Sequence, residues 1–236
     1  MPTLRKTLTL ALLLLTSLCA MSSPRAPLIF GLNPALQKSI SFAQLIPGTV
    51  NRGLSCGDGI GGKGQNVAVA ASYMGIRDFN VCMLLGSGAV GDQLGALIET
   101  TVQIDVLTSP LTVRTHGKCR TCVSLVDNSK NETTEVIEPS ETILSEEIDV
   151  LLENVRQFYS QQKASGVAVM GSMPPGCPSS LYGSLLTRAC DSHSKVLLDT
   201  VNGLREALEA CGSIDCRPFV KVGLKYNTFE GNLLFH

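Results

Sequence analysis

The chain has 236 residues, 44% hydrophobic and 17% charged, with a formal net charge of −1. So apolar a chain is not disordered, and its length allows one sizeable core without disulfides or metals. Nineteen Lys+Arg against 20 Asp+Glu leave no basic stripe, so no nucleic-acid partner is expected.

Arg5 and Lys6 precede an apolar run, Thr7 to Ala20, in the pattern of a secretory signal. Residues 1–22 therefore read as a targeting segment, for secretion or plastid import; without targeting the chain would be cytoplasmic. The run falls short of the roughly 20 residues that cross a bilayer, so no membrane span is expected. Nine cysteines at irregular spacing suit reduced thiols in a cytosol or plastid stroma better than an oxidised framework. Cys119-x-x-Cys122 lacks a second well-spaced pair and lies in a strand-like stretch, which argues against zinc and against a redox pair.

From residue 28 the pattern alternates. Leu28–Leu32 reads as a buried strand, Gln65 to Met74 as a helix stopped at Gly75, Phe79–Leu85 as a core strand and Val90–Thr100 as a helix. Ser145 is placed to cap a helix whose Ile148, Leu151, Leu152, Val155, Phe158 and Tyr159 recur at helical spacing. Strands at Val167–Met170, Val196–Asp199 and Phe219–Val222 then alternate with helices at Ser179–Cys190 and Leu204–Ala210. Such alternation predicts an α/β fold, a parallel sheet with helices on both faces. Two stretches, about 38–56 and 111–137, break it and read as extended pieces outside the main sheet, a small β lid.

The richest local signal is Cys56 to Ala71, CGDGIGGKGQNVAVAA. Gly57-x-Gly59-x-x-Gly62 matches the dinucleotide fingerprint, but no buried strand precedes it. Gly57-x-x-x-x-Gly62-Lys63 approaches a P-loop, yet Gly64 stands where the Mg²⁺-binding hydroxyl belongs. The third reading is Gly61-Gly62-Lys63-Gly64-x-Asn66. Its glycines admit a ligand close to the backbone, and Asn66 can both donate to and accept from sugar hydroxyls.

That third motif, continuing into Val67-Ala68, resembles the N-terminal signature of the PfkB (ribokinase-like) carbohydrate kinases. Leu32-Asn33-Pro34-Ala35-Leu36 resembles the 1-phosphofructokinase/tagatose-6-phosphate kinase branch. Arg120-Thr121-x-Val123, Thr134 to Pro139, Gly171-Ser172-Met173-Pro174-Pro175-Gly176, Asp199-Thr200 and Lys225-Tyr226-Asn227-Thr228-Phe229-Glu230 follow in the family's order. The resemblance implies a ribokinase-like parallel-sheet sandwich with a β lid, over residues 28–236, and transfer of the ATP γ-phosphoryl group to a sugar hydroxyl.

It also implies roles. Asn33, Gln37, Gly61, Gly62, Lys63, Asn66 and Ser172 fall at sugar-binding positions, and Arg52 and Arg120 at positions that hold the substrate phosphate. A guanidinium fork suits a phosphate. Lys225, Asn227 and Glu230 fall near the nucleotide phosphates, with Glu230 reaching Mg²⁺ through water. ATP and Mg²⁺ are the implied cofactors and a sugar phosphate the implied partner; two copies could pair through their lids.

Two departures stand out. Gln37 occupies a position that is usually acidic, and the family's later G-A-G-D segment has no counterpart among the 236 residues. The resemblance thus places the catalytic aspartate beyond His236, with the C-terminal part of the fold missing, and the chain alone is expected to be inactive. The alternative is a non-catalytic sugar-phosphate-binding or interaction protein derived from that family.

Overall fold

The computed structural model describes residues 25–161 and 163–221. The targeting segment expected over 1–22, and Lys225, Asn227 and Glu230, lie outside them.

Six strands form the main sheet: β1 (Leu28–Phe30), β4 (Asn80–Ser87), β5 (Thr112–Lys118), β8 (Gly166–Met170), β9 (Lys195–Asp199) and β10 (Phe219–Val220). Their order is β10-β9-β8-β1-β4-β5, and every adjacent pair is parallel. Alternation along each strand sorts the core into two layers. Leu28, Phe30, Cys82, Leu84, Val167, Val169, Val196 and Leu198 meet helices α3 (Ser145–Phe158), α4 (Leu181–Ala189) and α5 (Leu204–Ser213). Ile29, Val81, Met83, Leu85, Ala168 and Met170 meet α1 (Lys63–Tyr73) and α2 (Gly88–Val102). Each large side chain so buried contributes about 1.5–3 kcal/mol.

The remaining strands, β2 (Ala35–Phe42), β3 (Ser55–Gly61), β6 (Thr121–Asp127) and β7 (Glu132–Ile137), form a separate sheet ordered β3-β2-β6-β7. Its halves come from two separate stretches of the chain, residues 35–61 and 121–137, and β2 runs parallel to β6 with Leu36 opposite Thr121.

Three expectations are corrected. The stretch from residue 111 was expected outside the main sheet, but residues 112–118 form β5, its edge strand, because Leu111, Thr112, Val113 and Thr115 are all buried against it. Ser145 is the first helical residue of α3 and not its cap; the Glu147 carboxylate folds back to accept the Leu144 N–H at 2.8 Å. Phe158, expected on the buried stripe, is 43% exposed, while Tyr159 beside it is buried. The helix ends at Phe158, and the two rings meet edge to face with centroids 5.1 Å apart, the Phe158 ring lying on the solvent side of Tyr159.

Candidate functional site

The sheet order reverses at its centre. From β1 the chain moves outward to β4 and β5, then returns past β1 to β8, β9 and β10. In open parallel sheets such a switch point leaves a crevice at the carboxyl ends of the strands. A cleft lies there: Gly31 and Asn33 follow β1, Gly171 and Ser172 follow β8, Lys63 and Gln65 start α1, and Arg120 comes from the joint before β6.

Glycines bring α1 to this crevice. Gly62, the residue before the helix, holds φ at +101°, a region that other residues avoid. Gly64 packs backbone to backbone on Gly31, and a Cβ on Gly64 would lie 2.4 Å from the Gly31 Cα. The start of the helix is thereby pressed onto the end of β1. Neither a side-chain cap nor an acidic residue serves the first turn, so its N–H groups and the positive end of the helix dipole are left for other partners.

Charge is concentrated on either side. The Asp199 carboxylate at the end of β9 is buried and accepts Lys63 Nζ at 3.0 Å and Lys221 Nζ at 3.2 Å. Arg120 Nη2 donates to the Asn33 carbonyl oxygen at 3.0 Å, while its Nε is buried without a partner among the described residues. Asn33 Oδ1 accepts from the Ser140 hydroxyl at 3.0 Å. The Gly171–Ser172 turn is held by Gly171 N–H donating to the Asp199 carbonyl and by the buried Tyr182 hydroxyl donating to the Gly171 carbonyl.

Of the residues expected from the sequence, Asn33, Lys63, Arg120 and Ser172 therefore converge on one cleft. Gly61 lies at the rim, at the end of β3 opposite Ala35, and Gly62 joins it to α1. Asn66 is half-buried in the first helical turn, its N–H bonded to the Gly62 carbonyl. Two of the expected residues lie away from this lining. Gln37 lies on β2 and its amide donates to the Ser124 hydroxyl at 2.8 Å, which turns it across the small sheet and away from the cleft lining. Arg52 is exposed in the connection between β2 and β3, beyond Ser55 at the far end of β3. Seven residues of strand put it roughly 20 Å from the Gly61 end, so the two arginines do not meet within one chain.

Sequence reasoning gave no role to Gln65, Asp199 or Lys221. Asp199 ends an expected strand and stands in the Asp199-Thr200 pair of the family's order, but no role was attached to it; Gln65 occupies the unspecified position of the glycine motif, and nothing singled out Lys221 within its expected strand. The fingerprint glycines Gly57 and Gly59 sit within β3, paired antiparallel to β2, so they form no strand-to-helix turn around a pyrophosphate. Cys119 and Cys122 are both buried and unpaired, and burial pushes both thiols up.

A family model for pfkB family carbohydrate kinases matches residues 36–215. The chain belongs to the PfkB family. Among solved structures, phosphofructokinase-2 from Escherichia coli in complex with fructose-6-phosphate aligns at 23% identity with a TM-score of 0.66, over 80% of this chain and 58% of that one. The tetrameric inhibited form of the same enzyme aligns at 22% identity and 0.66, over 78% and 58%. A protein described as a possible 1-phosphofructokinase from Thermotoga maritima aligns at 21% and 0.63, over 78% and 57%. The chain thus spans 58% or less of the length of these PfkB-type structures, whose likeness fixes the ribokinase-like α/β fold. No described helix is long and apolar enough to cross a membrane.

Proposed function

We propose that this chain carries the sugar side of an ATP-dependent PfkB kinase that phosphorylates a hydroxyl of a sugar phosphate. The observation that carries the reading is the convergence of Asn33, Lys63, Arg120 and Ser172 on the switch-point cleft, at the uncapped start of α1. In this reading Arg120 takes the substrate phosphate, for which its unpaired Nε and planar fork are suited. Gly61, Gly62 and Asn66 admit and hold the sugar. The small sheet acts as the lid, rooted at the joints after β1 and before β6, and its exposed Val136 and Ile137 offer a surface for a second copy.

The family implies ATP and a divalent metal. Among the described residues no three His, Cys, Asp or Glu side chains could hold a metal ion together, and Asp199 is already met by two ammonium groups. Mg²⁺ needs only one or two carboxylates beside the phosphates and its waters, so this arrangement does not conflict with it. Glu230 is proposed to reach it through water, with Lys225 and Asn227 near the nucleotide phosphates. When bound, the metal neutralises phosphate charge; Lys63 and the N–H groups of α1 then add positive potential at the cleft.

A second reading, which rests on the same sugar-side groups at the cleft, is sugar-phosphate binding without turnover. Calorimetric titration with fructose 6-phosphate, tagatose 6-phosphate and fructose 1-phosphate, beside an ADP-release assay, tests both readings. Binding with ADP release supports the kinase. Binding alone supports the second reading, and no binding of any of the three refutes both.

A further inference from the structure

We propose that Gln65 sets which sugar hydroxyl the cleft recognises, its side-chain carbonyl oxygen accepting a hydrogen bond from the bound polyol. This rests on reading the cleft as a sugar-phosphate site.

Gln65 is 1% exposed, yet it stands in the cleft wall beside Gly31, Asn33 and Lys63. Its Nε2 donates to the Gly31 carbonyl at 2.7 Å and lies 4.0 Å from the Met83 sulfur, another acceptor. Turning the amide over would set oxygen against oxygen at Gly31, so the orientation is fixed by its neighbours. Oε1 then has no partner among the described residues. It occupies room left by two absent side chains: a Cβ on Gly31 would lie 2.9 Å from it and one on Gly62 2.4 Å.

A buried carbonyl oxygen can be satisfied only by a donor. None of the charged donors at the cleft reaches Oε1: Lys63 Nζ is bound to Asp199, Arg120 Nη2 to Asn33, and the unpartnered Arg120 Nε is the group read as the phosphate ligand. A phosphate group offers oxygen acceptors and would repel Oε1, whereas a hydroxyl donates to it. The cleft therefore divides, with the phosphate on the Arg120 side and a hydroxyl against Gln65. Leu or Met at this position would fill the volume and leave nothing to discriminate hydroxyls.

The test is a cycle in which protein and ligand are both changed. Wild type and Gln65→Leu are titrated with fructose 6-phosphate and with its 1-deoxy, 3-deoxy and 4-deoxy analogues. The expected result is that Gln65→Leu binds the parent about tenfold more weakly, the worth of one hydrogen bond of about 1.4 kcal/mol. One deoxy analogue should lose about as much on wild type and lose nothing further on the variant. Equal weakening of every ligand, or of none, overturns the proposal while leaving the sugar-phosphate reading intact. Failure of wild type to bind fructose 6-phosphate and the other sugar phosphates overturns both. If Gln65→Leu does not fold, Gln65→Glu serves, because its protonated carboxyl can donate to Gly31 and still accept. Selectivity for the same hydroxyl should persist there, and its loss overturns the proposal.

Discussion

Replacing Gly64 with Ala sets two effects of opposite sign against each other. Gly64 lies in the first turn of α1, and exchanging a helical glycine for alanine ordinarily stabilises by about 0.5–1 kcal/mol. The new Cβ, however, would lie 2.4 Å from the Gly31 Cα, 2.9 Å from its nitrogen and 3.2 Å from the Phe30 carbonyl oxygen. All three are backbone atoms of the central strand region, which cannot swing aside as a flexible side chain would. Overpacking costs about 1–3 kcal/mol, and three rigid backbone contacts this short put Gly64→Ala in the upper part of that range, about 2–3 kcal/mol, so the net change is a loss of about 1–2 kcal/mol. At about 2–4 °C per kcal/mol for a chain of this size, the melting temperature should fall by roughly 2–8 °C. Gly212→Ala is the matched control, because that glycine lies in α5 with nothing within 4 Å of its added Cβ. It should gain about 0.5–1 kcal/mol. Urea titration of the two variants beside wild type measures both. A Gly64→Ala protein as stable as wild type, or more so, would show that α1 does not press on β1 and would remove the reason for glycine at both Gly31 and Gly64.

Arg120→Lys keeps the charge and loses the planar fork, so fructose 6-phosphate affinity should drop about 10–100-fold in calorimetry with little change in melting temperature; unchanged affinity would exclude Arg120 as the phosphate ligand. Asp127 ends β6 and accepts from the Ser129 hydroxyl, which holds its carboxyl below the usual range. Its contribution is therefore complete above the unfolded value of about 3.9 and is lost as pH falls through the lower folded value, so Asp127→Asn should flatten that acid limb in melting curves. Thiol labelling at pH 8 should reach the exposed Cys56 first among the described cysteines. Burial should slow labelling of Cys82, Cys190 and Cys211, whose thiols are all pushed up, that of Cys211 to about 12. Mass-spectrometric mapping of the first adduct decides this, and early labelling of Cys211 would contradict the packing around α5.

The sheet and its helices were legible because apolar runs and helical spacing report burial directly, as in Phe79–Leu85 and around Leu151. Residues 112–118 were misplaced because an edge strand shares its alternating pattern with a strand of a separate sheet. Asn33, Lys63, Arg120 and Ser172 could be found through a family motif, whereas Gln37 and Arg52 carried the same kind of signal and lie elsewhere. A motif fixes a residue's place along the chain, but where its side chain goes depends on neighbours such as Ser124, which no motif includes. Asp199 and Lys221 needed the fold itself, since Asp199 meets Lys63 across 136 residues of sequence and Lys221 joins through the same carboxylate.

The pairing of β2 with β6 has a mechanical consequence. Those strands hang from two different joints, one carrying Asn33 and the other Arg120, and the two joints are tied by the bond from Arg120 Nη2 to the Asn33 carbonyl. A tilt of the small sheet must therefore turn both pivots together, so whatever grips its outer rim also tugs on the groups at the mouth of the crevice.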